Sequence, residues 1–211
     1  MDLVTSAQGG YVIRPPRQAR SKASWRRILD AGRALIEEGG TQALTLSALC
    51  ERADVAPTTV YQRVESMNGL LYAIFNDHMA EVESLNLGQL DRVLALPPRS
   101  PERIAAAIEA VGASFIRDQN LLRAITEYSA SDDAFWQSEN ESANHFVEGI
   151  VTAFSFGDDQ TALECANYIF TENMVRTIFG SHWMGNTNES YEDFKSRIFR
   201  MVWARLNSTA S

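Results

Sequence analysis

The stretch from Leu44 to Leu71 constrains the fold of this 211-residue chain most strongly. Its first part has the spacing of a short helix, because Leu46, Leu49 and Ala53 stand at i, i+3 and i+7 and so share one helical face. Thr45 precedes these residues, where its hydroxyl can cap the first turn. The stretch therefore opens with a predicted helix that has a defined start and one buried face.

A second short helix is predicted to follow, over about residues 57–64. Asp54 suits the turn between the two helices, because aspartate tolerates the left-handed backbone conformation. Pro57 suits the first turn of the second helix, where its missing N–H needs no partner. Val60 and Val64 lie four residues apart and are predicted to face inward. Together the two predicted helices and the turn form a helix-turn-helix.

The side chains left on the outer face of the second helix are two hydroxyls, a phenol, an amide and a guanidinium. They are Thr58, Thr59, Tyr61, Gln62 and Arg63. None is acidic, and groups of these kinds bond phosphate oxygens and base edges. We expect Gln62 and Arg63 to reach base edges and the tyrosine and threonine hydroxyls to anchor phosphates.

Basic residues are concentrated in the N-terminal part of the chain, although its formal net charge is −8. Residues 1–64 contain nine Lys or Arg against six Asp or Glu, whereas residues 65–211 contain ten against twenty-one. A basic module on an acidic body is typical of a protein that touches DNA at one end. Arg26 and Arg27 lie near the start of a helix predicted over residues 22–38, where the helix dipole favours phosphate.

The motif and the residues before it resemble the DNA-binding domain of the TetR family of bacterial transcriptional regulators. The resemblance covers about residues 25–75 and rests on the order and spacing of several pieces. They are Arg27–Ile36, Gly39-Gly40, Leu44–Leu46, Thr59–Tyr61, Val64, Ser66 and Leu70. It implies a three-helix DNA-binding domain over residues 21–66, in which Arg26, Arg27 and Thr45 assist the second helix at the DNA.

Three positions depart from the family pattern. Asp54 replaces the usual glycine of the turn, and Ala56, a poor cap, replaces a frequent serine. Met67 stands where the family often has a lysine that contacts a DNA phosphate. The missing lysine either weakens the phosphate clamp or transfers its task to nearby arginines. The alternative is therefore a helical interaction module whose DNA-binding motif has decayed.

The rest of the chain has helical spacing and no segment with the two-residue period of a strand, so we predict an all-α fold. A long helix from Asn68 to about Leu87 leads into a helical domain over residues 67–211. The resemblance implies that this domain binds an effector and forms the dimer. Residues 1–20 contain Gly9-Gly10 and Pro15-Pro16, and they are predicted to be a flexible basic arm. Such an arm either enters a minor groove or stays solvated.

The last two predicted helices carry apolar stripes that can bury more than one face. The stripe residues are Phe170, Met174 and Ile178 on one helix, and Phe194, Ile198 and Met201 on the other. In the TetR family these helices pair with their copies in a second subunit as a four-helix bundle. The resemblance therefore implies a homodimer whose interface contains these six residues.

The resemblance further implies a repressor that a small-molecule effector releases from double-stranded operator DNA. An apolar or aromatic effector would suit the aromatic side chains of the helical body. The candidate ligand-binding residues are Phe75, Phe115, Tyr128, Trp136, His145, Phe146 and Met174. Aromatic residues at helical spacing also serve as ordinary core, and the sequence leaves that alternative open for each of them.

Several classes of site have no support in the sequence. Cys50 and Cys165 are far apart, and the three histidines have no metal-ligand spacing with them, so we expect no metal and no cofactor. No catalytic constellation is visible, and we expect no enzyme activity. No secretory signal or membrane-spanning run occurs, and we therefore expect a cytoplasmic protein without a membrane partner.

Overall fold

The computed structural model describes residues 6–8, 11–129, 147–154, 159–180 and 189–208. Within these ranges the chain forms nine α-helices, a short 3₁₀ helix at Thr41–Ala43 and two short strands. The strands are β1 (Ser6–Gln8) and β2 (Tyr11–Ile13). The helices are α1 (Ala19–Gly39), α2 (Leu46–Ala53), α3 (Pro57–Tyr61), α4 (Met67–Leu94), α5 (Pro101–Arg117), α6 (Gln119–Ser129), α7 (147–154), α8 (Asp159–Phe179) and α9 (Tyr191–Ser208). The predicted all-α class is confirmed.

The chain divides into two compact units. Among the described residues, the first unit contains those up to Glu81 and those from Asn120 to the end of α6. The second unit contains Val82–Gln119 and the described residues from 147 onward. Helix α4 supplies its first half to one unit and its second half to the other. None of the described helices is long and apolar enough to cross a bilayer.

The core of the first unit is built by α1, α2, α3, the first half of α4, and α6. Its most deeply buried side chains are Ile28, Ile36, Leu49, Val60, Val64, Leu70, Ile74, Phe75, Leu121 and Ile125. Helices α1 and α4 approach closely at Gly32, where an added Cβ would lie 2.4 Å from Ile74 Cδ1. A side chain at this crossing would therefore have to displace the end of the Ile74 side chain.

The boundaries of α2 and α3 follow the predicted local chemistry. The backbone N–H of Ala48 donates to Thr45 Oγ1 at 3.2 Å, and Asp54 has φ 51° in the left-handed region. Helix α3 begins at Pro57 and has no side-chain cap at Ala56. These predictions are confirmed, but α3 ends at Tyr61 and is shorter than the predicted helix. Residues 62–66 instead continue as turns and bends with a single β-bridge.

The N-terminal segment contains a hairpin where the sequence predicted an arm without periodic structure. Strands β1 and β2 pair antiparallel, with Gln8 opposite Tyr11 and Ser6 opposite Ile13. Gly9-Gly10 is typical of disordered segments, but it is also a preferred sequence for a two-residue hairpin loop. Tyr11-Val12-Ile13 consists of residue types that favour strands, so the correction has a local cause.

The second unit packs α5, α8 and α9 against one another. Helix α5 begins at Pro101, and Ser100 Oγ accepts a hydrogen bond from the N–H of Arg103 at 3.1 Å. The buried guanidinium of Arg103 donates to the carbonyls of Leu94, Leu96 and Ala153. It thereby satisfies carbonyl groups at and just beyond the C-terminal end of α4, which no helical N–H can reach.

Candidate nucleic-acid interface

Helix α3 presents a polar outer face because its apolar residues are fixed inward. Val60 of α3 and Val64 of the turn after it are completely buried, which sets the rotation of the helix. Thr58 and Gln62 are exposed, and Tyr61 is 45% exposed. Thr59 and Arg63 are half-buried. The five predicted side chains of this face are therefore at least partly accessible, and none is part of the core.

An open cleft of about 200 Å³ separates the start of α1 from α3. Its lining residues are Gln18, Arg20, Ser21, Ser24, Trp25, Ile28, Thr59, Gln62 and Arg63. None of these residues is acidic, and seven of the nine carry a hydroxyl, amide or guanidinium. The cleft thus brings three predicted DNA-binding residues together with the first turns of α1, in a setting rich in hydrogen-bond donors.

The α1 side of this cleft was missed because the helix was predicted to begin three residues too late. Helix α1 starts at Ala19, so Arg20 and Ser21 occupy its first turn. Gln18 makes no side-chain cap, and the first turn contains no acidic residue. The positive end of the helix dipole therefore acts at these residues. Arg26 and Arg27 lie about two turns farther along, so they are not at the helix end where the sequence predicts them.

The two predicted arginines of α1 differ in their partners. Arg26 forms an ion pair with Asp77 of α4 and lies 3.8 Å from Asp30. Arg27 is exposed, and no acid pairs with it in the described part of the chain. A nearby carboxylate reduces the field that a guanidinium offers to phosphate. Arg27 is therefore the better phosphate ligand of the two.

Other cations of the first unit are also matched with acids. Arg33 Nη1 lies 2.8 Å from Glu81, and Arg52 Nη2 lies 2.7 Å from Glu38. The hydrogen bond from Arg52 lowers the pKa of the Glu38 carboxyl. Arg20, Lys22 and Arg27 are exposed and have no carboxylate partner among the described residues. The unneutralised positive charge of α1 thus lies along its N-terminal half.

The starts of α2 and α4 offer weaker contacts. Thr45 already accepts the amide hydrogen bond of Ala48, but its hydroxyl hydrogen remains able to donate to a phosphate. Met67 packs against the core of the first unit and provides no cation. Ser66 Oγ accepts from the N–H of Gly69 at 3.0 Å, which starts α4 without the lysine typical of the family pattern.

The predicted effector residues fall into separate parts of the structure. Phe75 is 1% exposed and belongs to the core of the first unit, and Tyr128 packs against the same core. Phe75 thus serves as core in this structure, and its assignment to a ligand site stays a prediction. Phe115 lies in the second unit, with Met174 half-buried on α8. Trp136, His145 and Phe146 lie outside the described residues.

The predicted dimer residues likewise divide by exposure. Phe194 is 2% exposed and Ile198 is completely buried within the chain, so neither is available to a second subunit in this structure. Both side chains pack inside the second unit, where α9 contacts α5 and α8, so the structure gives no support to their assignment to an interface. Phe170 makes an edge-on contact with Phe115 at 5.0 Å between ring centroids. Met201 is 56% exposed and Ile178 is half-buried.

Comparison with known proteins places the helix-turn-helix in a defined family. Residues 28–74 match the family model of the bacterial regulatory proteins of the tetR family. The HTH-type transcriptional repressor KstR of Rhodococcus jostii strain RHA1 is 29% identical over 124 residues. That alignment covers 58% of this chain and 55% of KstR, so the chain matches about half the length of this curated relative.

Solved structures share the fold over most of the chain. A TetR-family protein from Mesorhizobium loti superimposes with a TM-score of 0.69 at 15% identity, covering 90% of this chain and 96% of that one. The regulator FadR of Bacillus subtilis, solved with stearoyl-CoA, has a TM-score of 0.65 at 15% identity and coverages of 86% and 98%. At such identities the likeness concerns the fold alone. In its helix-turn-helix region, residues 28–74, the chain matches the TetR family of bacterial regulatory proteins.

Proposed function

We propose that this protein is a DNA-binding transcriptional repressor that a small effector releases from its operator. The observation that carries the proposal is the acid-free surface formed by the outer face of α3 and the first turns of α1. Phosphates need donors and positive charge, and base edges need amide or guanidinium groups. Gln62 and Arg63 supply the second kind beside Arg20 and Ser21, which supply the first.

The division of labour on this surface follows from exposure and pairing. Tyr61, Thr58 and Arg27 are accessible and suit phosphate oxygens. Gln62 and Arg63 border the cleft and suit base edges. Thr45 and Arg26 contribute less, because the hydroxyl of one caps α2 and the charge of the other is shared with Asp77.

A homodimer is part of this proposal, since one five-residue helix reads only a few base pairs. Helix-turn-helix dimers place two such helices about one turn of DNA apart, ~34 Å. Met201 of α9 and Leu163 of α8 are exposed apolar side chains on the two helices that the family pairs between subunits. Phe170, Met174 and Ile178 are half-buried and can extend this surface.

The proposed effector is a small apolar or aromatic molecule bound in the second unit. Support comes from Phe115, which packs edge-on against Phe170 in the interior of this unit. FadR, which shares the fold, was solved with stearoyl-CoA. An effector that prefers one spacing of the two DNA-binding heads weakens DNA binding by its differential affinity for that state.

The proposal is tested by fluorescence anisotropy of the purified protein with DNA from the flanks of its own gene. An unrelated fragment of equal length is the reference, and both titrations are repeated over a range of salt concentrations. We expect a preference for the flanking DNA and an affinity that falls steeply with salt. Equal, weak binding to both fragments would favour the decayed-motif interpretation.

A matched pair of glutamine variants locates the binding surface. Gln62→Ala removes an amide from the α3 face, whereas Gln160→Ala removes an exposed amide from α8 in the other unit. We expect Gln62→Ala to weaken specific binding about tenfold, within the range for one lost base contact, and Gln160→Ala to have no effect. Equal effects of the two variants would contradict the assignment of α3 as the recognition helix.

A further inference from the structure

Strand β2 meets the chain just after the recognition helix. Ile13 and Val64 form an antiparallel bridge. The backbone N–H of Arg14 donates to the carbonyl of Arg63 at 2.8 Å. In return, Arg63 Nη1 donates to the carbonyl of Arg14 at 3.4 Å. Arg14 and Arg63 are therefore joined twice, once through the backbone and once through the guanidinium of Arg63.

Contacts on both sides of this junction hold β2 in place. The guanidinium of Arg14 forms an ion pair with the carboxylate of Glu65. The rings of Tyr11 and Tyr72 lie 5.2 Å apart between centroids, so β2 also packs on the first turns of α4. Because Val64 is completely buried, the bridge connects β2 to a fixed point of the core.

Arg63 needs this support because the helix does not reach it. Helix α3 ends at Tyr61, has only five residues and has no side-chain cap at its start. A helix this short is marginal without tertiary contacts. The direction of the Arg63 side chain is thus set by the turn that follows α3, and β2 is the element hydrogen-bonded to that turn.

We propose that residues 11–14 act as a brace that positions Arg63 for DNA, so that Arg63 contributes to specificity only while β2 is docked. The proposal rests on the proposed function and extends it to the N-terminal hairpin. The guanidinium of Arg63 donates one of its five N–H groups to the carbonyl of Arg14, which leaves four that can donate to a base or phosphate. Arg14 also neutralises Glu65, whose exposed carboxylate would otherwise repel phosphate.

Two substitutions of Arg14 distinguish the contribution of its backbone N–H from that of its side chain. Arg14→Ala and Arg14→Pro both remove the guanidinium, but only the proline removes the N–H that bonds to Arg63. The preceding residue, Ile13, is already in a strand, which is the conformation that a following proline favours. Any difference between the two variants therefore reports on the backbone link of the brace.

The first measurement is the loss of DNA affinity that Arg63→Ala causes in each of the two Arg14 variants. The DNA is the preferred duplex from a random-sequence selection with the wild-type protein. We expect Arg63→Ala to lower the affinity about tenfold in the Arg14→Ala protein, in which β2 stays docked. In the Arg14→Pro protein we expect the affinity to fall less than about twofold. Gln62→Ala is the control, and the DNA affinity that it removes should be the same in both backgrounds. If Arg14→Pro instead disrupted α3 as a whole, the effect of Gln62→Ala would shrink together with that of Arg63→Ala. Equal costs of Arg63→Ala in both backgrounds would overturn the proposal.

The second measurement does not need DNA and therefore separates failure of the brace from failure of the proposed function. The ¹H–¹⁵N heteronuclear NOE of Arg63 Nε, assigned by its absence in Arg63→Lys, reports on the mobility of the side chain. We expect a high NOE in the wild type and Arg14→Ala, and a marked loss in Arg14→Pro. An NOE that is unchanged in Arg14→Pro contradicts the positioning role, whether or not the protein binds DNA.

Discussion

The guanidinium of Arg197 donates to both carboxylate oxygens of Glu189, at 2.9 and 3.2 Å. A further bond of 3.0 Å to Glu172 joins α9 to α8. These carboxylates raise the pKa of Arg197 further, chiefly because Glu189 accepts two hydrogen bonds from its guanidinium. The planar fork of arginine is thus the shape that fixes the start of α9 beside α8.

Replacing this arginine should loosen the second unit. We expect Arg197→Met to lower the free energy of unfolding by about 1–2 kcal/mol, because two partly buried carboxylates lose charged hydrogen bonds. Arg197→Lys should recover little of the loss, since an ammonium cannot form the paired bonds to Glu189. Urea unfolding measures both values, and full recovery by lysine would show that charge alone matters.

Gly112 of α5 should not tolerate even a methyl group. A Cβ there would lie 1.9 Å from Tyr191 Oη and 3.1 Å from Cζ of the same ring. We expect Gly112→Ala to destabilise the protein by about 1–3 kcal/mol through overpacking. In contrast, Tyr191→Phe should be nearly neutral, because its buried hydroxyl makes no hydrogen bond in the described structure.

The double variant tests the cause of this effect. Tyr191→Phe in the Gly112→Ala background removes the nearest clashing atom, so it should recover at least half of the lost stability as measured by thermal unfolding. Additive effects of the two substitutions would mean that Gly112 is required for a reason other than its approach to the tyrosine hydroxyl.

Stability should fall at alkaline pH through Cys165. Burial raises the pKa of this thiol from an ordinary value of 9.0 to about 11. Below pH 9 the thiol is neutral in both states, but between pH 9 and 11 the unfolded chain loses its proton and the folded chain keeps it. Folding therefore becomes less favourable as the pH rises through this window, by about 1–3 kcal/mol in total.

The variant Cys165→Ala isolates this contribution. Urea midpoints should decline less between pH 9 and 10 in the variant than in the wild type, although alanine also costs some stability at neutral pH. The comparison of slopes removes that constant difference. Parallel slopes would assign the alkaline loss to other groups such as Tyr191, whose pKa burial raises to about 12.

Substitutions of Arg27 and Arg26 should change the salt dependence of DNA binding to different extents. Arg27→Ala removes an exposed guanidinium without an acidic partner among the described residues, so the slope of log affinity against log salt should fall by about 1. Arg26→Ala removes a cation already paired with Asp77 and should change the slope less. Anisotropy titrations on one duplex measure both, and a larger change for Arg26 would reverse the assignment.

The helix-turn-helix could be predicted from the sequence because its signals are local. The cap at Thr45, the left-handed Asp54 and the start at Pro57 each depend on the chemistry of one or two residues. The hairpin was missed because Gly9-Gly10 suits both a disordered segment and a two-residue loop. The choice between them depends on the docking of Ile13 against Val64, a contact between residues 51 positions apart.

The spacing of apolar residues also does not predict which element packs against an apolar helix face. The stripe that contains Phe194 and Ile198 was recognised, but spacing alone does not distinguish a neighbouring helix from a second subunit. The role of Arg103 was invisible for a related reason. Its partners are backbone carbonyls at Leu94, Leu96 and Ala153, and no residue type in the sequence marks a carbonyl that needs a donor.

The most direct test of the central claim is selection of duplexes from a random-sequence library by the purified full chain. We predict an enriched inverted repeat whose half-site centres lie about 10 base pairs apart, or a multiple of that, as expected for two copies of α3 related by a two-fold axis. Gln62→Ala should relax the preference at one position in each half-site. Failure to enrich any sequence, or an enriched sequence that Gln62→Ala leaves unchanged, would contradict the account.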